Sequence, residues 1–190
     1  GGGVVGRNAA TIAIGMGATA CGVSAILVMH GEEASGRVDA LLTSGLSRTR
    51  WIASHLNWAF VGTGLLMLIA GAAGALAYSL SGDSAVGTGD FIAAAIRTLP
   101  AVWFVIAIAF AAYAGYWRLA NAGWFILTIA ITGYLLKSIP DVPRLVGDLS
   151  PYSHVPTGLH ASILLPTAFL AIAVVLVTLG AVALHRRDVR

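Results

Sequence analysis

Charge is scarce in this chain. Only 10% of its 190 residues are Asp, Glu, Lys or Arg, while 58% are hydrophobic, against roughly 25% charged and 45–50% apolar in a soluble domain. With a mean hydropathy of +0.87, too little polar surface remains to cover a water-soluble globule. Lysine occurs once, as Lys137, and no G-x-x-x-x-G-K-[ST] sequence is present, which excludes an ATPase within the chain. The single Cys21 excludes an internal disulfide and a cysteine metal cluster. Neither a G-x-S-x-G elbow nor an H-E-x-x-H pair occurs. Period-two alternation is missing from the apolar runs, which excludes a membrane β-barrel. Internal repeats and low-complexity segments are absent too. A formal net charge of +3 does not point to a nucleic-acid partner.

What is present is a set of long apolar runs. A hydrocarbon core of about 30 Å needs roughly 20 residues of helix. Five stretches answer to this: Ala9 to Met29, Ile52 to Leu80, Phe91 to Tyr116, Ala120 to Leu136 and Ile163 to Leu184. The third is interrupted near its start by Arg97 and Pro100. The fold class is therefore all-α, a polytopic membrane protein with five transmembrane helices. Residues 1–190 form a single transmembrane domain, with a polar segment at 31–50 and a second non-spanning segment at 137–162.

The loops give this bundle two unlike sides. Arg37, Arg48, Arg50, Arg118, Arg186, Arg187 and Arg190 share one side, seven of the eleven basic residues. The other side has Arg7, Arg97, Lys137 and Arg144. By the positive-inside rule the seven-residue side is cytoplasmic, which places the N-terminus outside and the C-terminus inside. An odd number of spans, an external N-terminus and a start at Gly1 are what an even-numbered bundle without its first helix would give.

Residues 31–51 read GEEASGRVDALLTSGLSRTRW. Val38, Leu41, Leu42 and Leu46 form one apolar face of a short amphipathic helix. Glu33 and Arg37 have the spacing and order of an intrahelical ion pair. Gly45 stands where a helix C-cap is expected, and Ser47 where an N-cap begins the next span. Such a helix lies along the cytoplasmic membrane face, presenting its acids and Arg37 to the cytosol. It is either a structural elbow or a docking handle for a cytosolic partner that drives the bundle. The coupling candidates are Glu32, Glu33, Arg37, Asp39, Arg48 and Arg50.

Residues 137–162 contain Pro140, Pro143, Pro151 and Pro156, which exclude one continuous helix. Leu145, Val146, Leu149 and Tyr152 are apolar enough to return toward the membrane, as in a re-entrant or interfacial hairpin. Pro151, Tyr152, His154 and Pro156 are outer-gate candidates, against the alternative of a static cap. His154 and His160, with Asp141 and Asp148 upstream, do not have zinc-ligand spacing, so no metal site is assigned. Within the spans, His55, Asn57 and Asn121 suit interhelical hydrogen bonds, and Arg97 and Lys137 suit snorkelling to the headgroups. Trp51, Trp58, Trp103, Trp117 and Trp124 read as interfacial anchors. Gly62, Gly64, Gly71 and Gly74 thin the second span for close packing, including against a partner half.

The string EEASGRVDALLTSGLSRTRW, Glu32 to Trp51, resembles the permease subunits of bacterial ABC exporters. It is most similar to the actinobacterial exporters of polyketide antibiotics, the tetronasin-resistance-like group. LSPYSHVP, Leu149 to Pro156, resembles that family's outward segment before its last helix, and Arg186 to Asp188 its closing RRD; Thr157-Gly158 departs from the usual continuation. The resemblance implies a two-half permease of which this chain is the C-terminal half, lacking its first helix. It also implies a separate ABC ATPase subunit that binds ATP and Mg, leaving this chain no cofactor of its own. That ATPase would dock on the 31–50 segment and drive outward movement of a hydrophobic or amphipathic antibiotic or drug-like compound across the bacterial plasma membrane. Two other readings stay open: a membrane-embedded enzyme with an outward site around His154 and His160, and a non-transporting membrane scaffold.

Overall fold

In lipid each backbone N–H and C=O must be satisfied within the protein, and long runs of Ala, Leu, Ile and Gly achieve this as helices. The computed structural model describes residues 2–43, 45, 47–80, 87–119, 121–137, 139, 143–156, 162 and 164–186. Among them there are eight α-helices and no strand. They are α1 (Gly2–Ala34), α2 (Arg37–Thr43), α3 (Arg48–Asn57), α4 (Thr63–Leu80), α5 (Thr88–Gly115), α6 (Ala122–Leu136), α7 (Arg144–Asp148) and α8 (Leu164–Arg186). One π-helical turn, Trp58–Gly62, joins α3 to α4 in a single rod, and 3-10 turns occupy Trp117–Leu119 and Pro151–His154. This is an all-α polytopic membrane protein.

Four of the runs, Gly6–Ala34, Arg48–Leu80, Gly89–Gly115 and Leu164–Arg186, are long and apolar enough to cross a membrane. The fifth expected span is the shorter α6, 15 residues long, or about 22 Å. Helix direction alternates, so one end of the bundle gathers Arg37, Arg48, Arg50, Arg118 and Arg186 and is called here the basic end. The other end carries Lys137 and residues 143–156 and is called the proline-rich end.

The centre is α5, which packs against α1, α4, α6 and α8. Its Val102, Val105, Ile106, Phe110 and Tyr113 are all buried. Pro100 lies inside α5, so the interruption expected at Arg97 and Pro100 does not occur. A broken span would leave backbone groups unsatisfied in hydrocarbon, and neighbouring helices let a proline stay within a spanning helix. The packing expected of the second span's glycines is found within the chain itself. A Cβ at Gly71 would stand 3.0 Å from Ala95 Cβ and 3.2 Å from the Phe91 carbonyl, so α4 touches α5 nearly backbone to backbone.

The π turn accounts for one tryptophan that the anchor reading misplaces. A π turn leaves a carbonyl out of the regular ladder, and Trp103 Nε1 donates to the Phe60 carbonyl at 3.1 Å. Trp103 is thus an interhelical donor in mid-span. Trp51, 2% exposed, is likewise not a belt residue. Trp58 and Trp124 are exposed on the flanks, and the side chain of Trp117 lies outside the described residues.

Candidate functional site

At the basic end, α1 does not stop where its apolar run ends. It continues through Glu32 and Glu33 to Ala34. Successive residues on a helix point about 100° apart, so these neighbours reach different elements. Glu32 Oε2 accepts a hydrogen bond from Trp51 Nε1 at 2.8 Å and stands 3.4 Å from His55 Nε2. Glu33 Oε2 accepts from the Tyr113 hydroxyl at 2.5 Å, while its Oε1 lies 3.7 Å from Arg48 Nη2. The Glu33 and Arg48 side chains are only 15% and 14% exposed. Partly buried charges must be paired to be tolerated, and here each acid meets donors from other helices.

This arrangement corrects the expected outward presentation of Glu32 and Glu33: both turn into the bundle. It also replaces the expected Glu33–Arg37 pair. Ser35 and Gly36 form a turn, Gly36 with a φ of 71°, so the two residues lie on separate helices. A left-handed φ there is what glycine permits at little cost. On α2, Val38 is 1% exposed and seats the helix on the bundle, while Arg37 faces solvent. The side chains of Asp39, Leu41 and Leu42, and all of Leu46, lie outside the described residues. Gly45 has a φ of 94°, as the C-cap reading requires. Ser47 caps α3, its Oγ accepting from Arg50 N at 3.3 Å. Arg50 is exposed.

The result is a three-way junction. The start of α3 is tied to α1 through Glu32, and α1 is tied to α5 through Glu33. His55 connects the junction to a flank cleft. Its ring lies edge-on to Trp51 with centroids 5.3 Å apart, and it shares with Cys21, Ser24, Val28, Ser54 and Trp58 the walls of an open cleft of about 490 Å³. That volume is in the range of small-molecule sites. Trp58, 73% exposed, offers its indole to the cleft.

At the proline-rich end, which also holds an Arg7–Asp90 ion pair of 3.5 Å, the segment after α6 is held mainly by neutral groups. Because α6 is short, the chain beyond it folds back into the bundle. Ser150 Oγ donates to the Ala130 carbonyl at 2.6 Å. The Tyr152 hydroxyl lies 2.6 Å from Thr19 Oγ1, and Thr19 stands near the middle of α1. Val155 and Pro156 then stand beside Asn8, Thr11 and Thr98, about 12 Å back along α1. Residues 143–156 are therefore re-entrant, as expected. Lys137 Nζ donates to the Ser153 carbonyl at 3.1 Å, so it ties down this segment besides lying at a helix end.

Of the gate candidates, Pro151 and Tyr152 are buried, and His154 and Pro156 are half-buried. His154 Nδ1 is 3.1 Å from the Ser150 carbonyl and its ring meets Phe169 edge-on at 5.9 Å. His160 and Asp141 lie outside the described residues, as do Thr157 and Gly158. Among the described residues no group of three metal-ligating side chains comes together. Asn57 and Asn121 are exposed and cap no helix through their side chains. The interhelical role expected of all three polar residues is thus seen at His55. Sequence reasoning missed Tyr113, the central helix's link to the acids; a lone tyrosine in an apolar run gives no sign of what it will meet.

Residues 6–185 match the family described as "Multidrug efflux system permease Rv1217c, C-terminal domain". The multidrug efflux system permease protein Rv1217c of Mycobacterium tuberculosis (strain ATCC 25618 / H37Rv) is 38% identical over 180 residues, covering 93% of this chain and 33% of that protein. The chain thus spans about a third of the length of the curated relative it matches.

Proposed function

The chain belongs to the family of multidrug efflux system permease C-terminal domains, and from that premise we propose that it is the C-terminal permease half of an ABC-type exporter. In this reading a separate ATPase subunit supplies the energy, and no catalysis is assigned to this chain. The basic end faces the cytoplasm, following the positive-inside rule. The N-terminal half of the permease completes the bundle. The transported compound is hydrophobic or amphipathic, and it enters from the bilayer by the flank cleft beside Trp58. The re-entrant segment at Pro151, Tyr152, His154 and Pro156 closes the outer side.

One observation carries this reading: the segment between the first two runs is fastened to the central helix. A displacement of the start of α3 reaches α1 through Trp51 and Glu32 and reaches α5 through Arg48, Glu33 and Tyr113. An elbow serving only as a connector has no use for partly buried charges aimed at two other helices. The inward acids also divide the coupling candidates other than Asp39 into two sets. Exposed Arg37 and Arg50 are placed to meet the ATPase. Glu32, Glu33 and Arg48 are placed to pass its motion on.

The test is co-purification of the permease with its ATPase. Arg37→Glu with Arg50→Glu should weaken association, whereas Glu33→Gln should leave it intact. Undiminished association in the double charge reversal would overturn the docking assignment.

A further inference from the structure

The basic end has a second cavity, on a face of α3 adjoining the junction. It lies between α3 and α8, has a volume of about 370 Å³, and is lined by Thr49, Ile52, Ala181, Val182, His185 and Arg186. Its residues are sorted by depth. Ile52 is one turn further into the bundle than Thr49. Ala181 and Val182 are one turn further in than His185 and Arg186. Each turn is about 5.4 Å. The groove therefore has an apolar floor on the membrane side and a polar rim at the basic end. Thr49, His185 and Arg186 on that rim are exposed, and Arg50, also exposed, follows Thr49 on the first turn of α3. Among the described residues no lining residue is acidic.

Vertical sorting of this kind fits one class of molecule. A soluble anion would use the rim and make no use of the apolar floor. A bare hydrocarbon tail would leave the Arg186 guanidinium without a counter-charge, and a zwitterionic lipid would bring a second cation to the rim along with its phosphate. A lipid with a net negative headgroup satisfies both parts at once, with one acyl chain along Ile52, Ala181 and Val182 and its phosphate at Arg186, His185 and Thr49. Basic pockets between transmembrane helices recognise anionic lipids by this combination.

We propose that the α3–α8 groove is a binding site for an anionic phospholipid. The bound lipid bridges the last turn of α8 to the first turn of α3. It thereby secures the helix that carries Arg48, Trp51 and His55 without taking part in the junction. The site does not depend on the transport reading, and its test does not use transport.

The test is native mass spectrometry of the whole expressed protein in detergent, titrated separately with phosphatidylglycerol, phosphatidylcholine and glycerol phosphate. Phosphatidylglycerol should be retained in preference to phosphatidylcholine. Arg186→Gln should weaken that retention about fivefold, the effect of one cation near a membrane surface. Val182→Trp, which fills the floor and keeps every charge, should also reduce retention and leaves the proposal testable should the first variant fold poorly. Equal retention of the two lipids, or retention untouched by both substitutions, would overturn the proposal. Glycerol phosphate binding as well as the intact lipid would overturn it too, by showing an anion site with no use for the acyl chain.

Discussion

At the basic end Glu32 and Glu33 are held by Trp51, His55, Arg48 and Tyr113, whereas at the proline-rich end Ser150, Tyr152 and Lys137 meet carbonyls and a hydroxyl. The difference follows depth. Tyr152 reaches the middle of α1, where a charge would be costly and neutral partners suffice. The acids stay at the helix end, where partial exposure lowers the cost of charge and pairing still makes the contact stronger than a neutral one. Chemistry thus separates a packed plug from a charged joint. The plug is fixed by close approach; the joint is fixed by charge-assisted contacts between three helices.

Three substitutions would sharpen this contrast. The largest effect is expected at Gly133, on the plug side. A Cβ there would stand 2.9 Å from the Val146 carbonyl and 3.3 Å from Ser150 Cβ. Backbone cannot swing away as a side-chain tip can, so Gly133→Leu should cost about 3 kcal/mol, the upper end for overpacking. Thermal unfolding in detergent measures it, and an unchanged midpoint would mean that the segment does not pack on α6. The next effect is at the joint. Glu33→Gln leaves Arg48 without its carboxylate and should cost about 2 kcal/mol, as hydrogen bonds to charged groups do. A double-mutant cycle with Tyr113→Phe should show coupling between the two sites; additive effects would deny the contact. The smallest effect is expected for Tyr152→Phe, about 0.6 kcal/mol, as for average interhelical hydrogen bonds in a membrane. A loss as large as that at Glu33 would erase the distinction between the two ends.

Hydropathy made the helical class legible, and the four prolines combined with Leu145, Leu149 and Tyr152 made the re-entrant segment legible. Ser47 and Gly45 were readable because capping depends on local backbone geometry. The direction of Glu32 and Glu33 was not readable. An apolar run marks where lipid ends, but the helix continued five residues past Met29, and that extension sets which way each acid points. The continuity of α5 through Pro100 was hidden for a related reason: an isolated proline breaks helices, while a lipid-buried one is held by its neighbours. Trp103 was misread because the anchor reading groups it with the tryptophans near span ends although it lies in mid-span, and its partner, the Phe60 carbonyl of the π turn, is visible only in the fold.

The central claim is that Glu33 and Tyr113 pass motion from the 31–50 segment to α5. It is tested most directly by transport per ATP hydrolysed, in proteoliposomes holding the permease with its ATPase, for Tyr113→Phe against the unsubstituted protein. The substitution removes one donor and little volume. Association and ATP hydrolysis should persist while transport per ATP falls about fivefold, as expected for loss of about 1 kcal/mol of coupling. An unchanged ratio, with the Tyr113→Phe protein folded and the complex intact, would contradict the account.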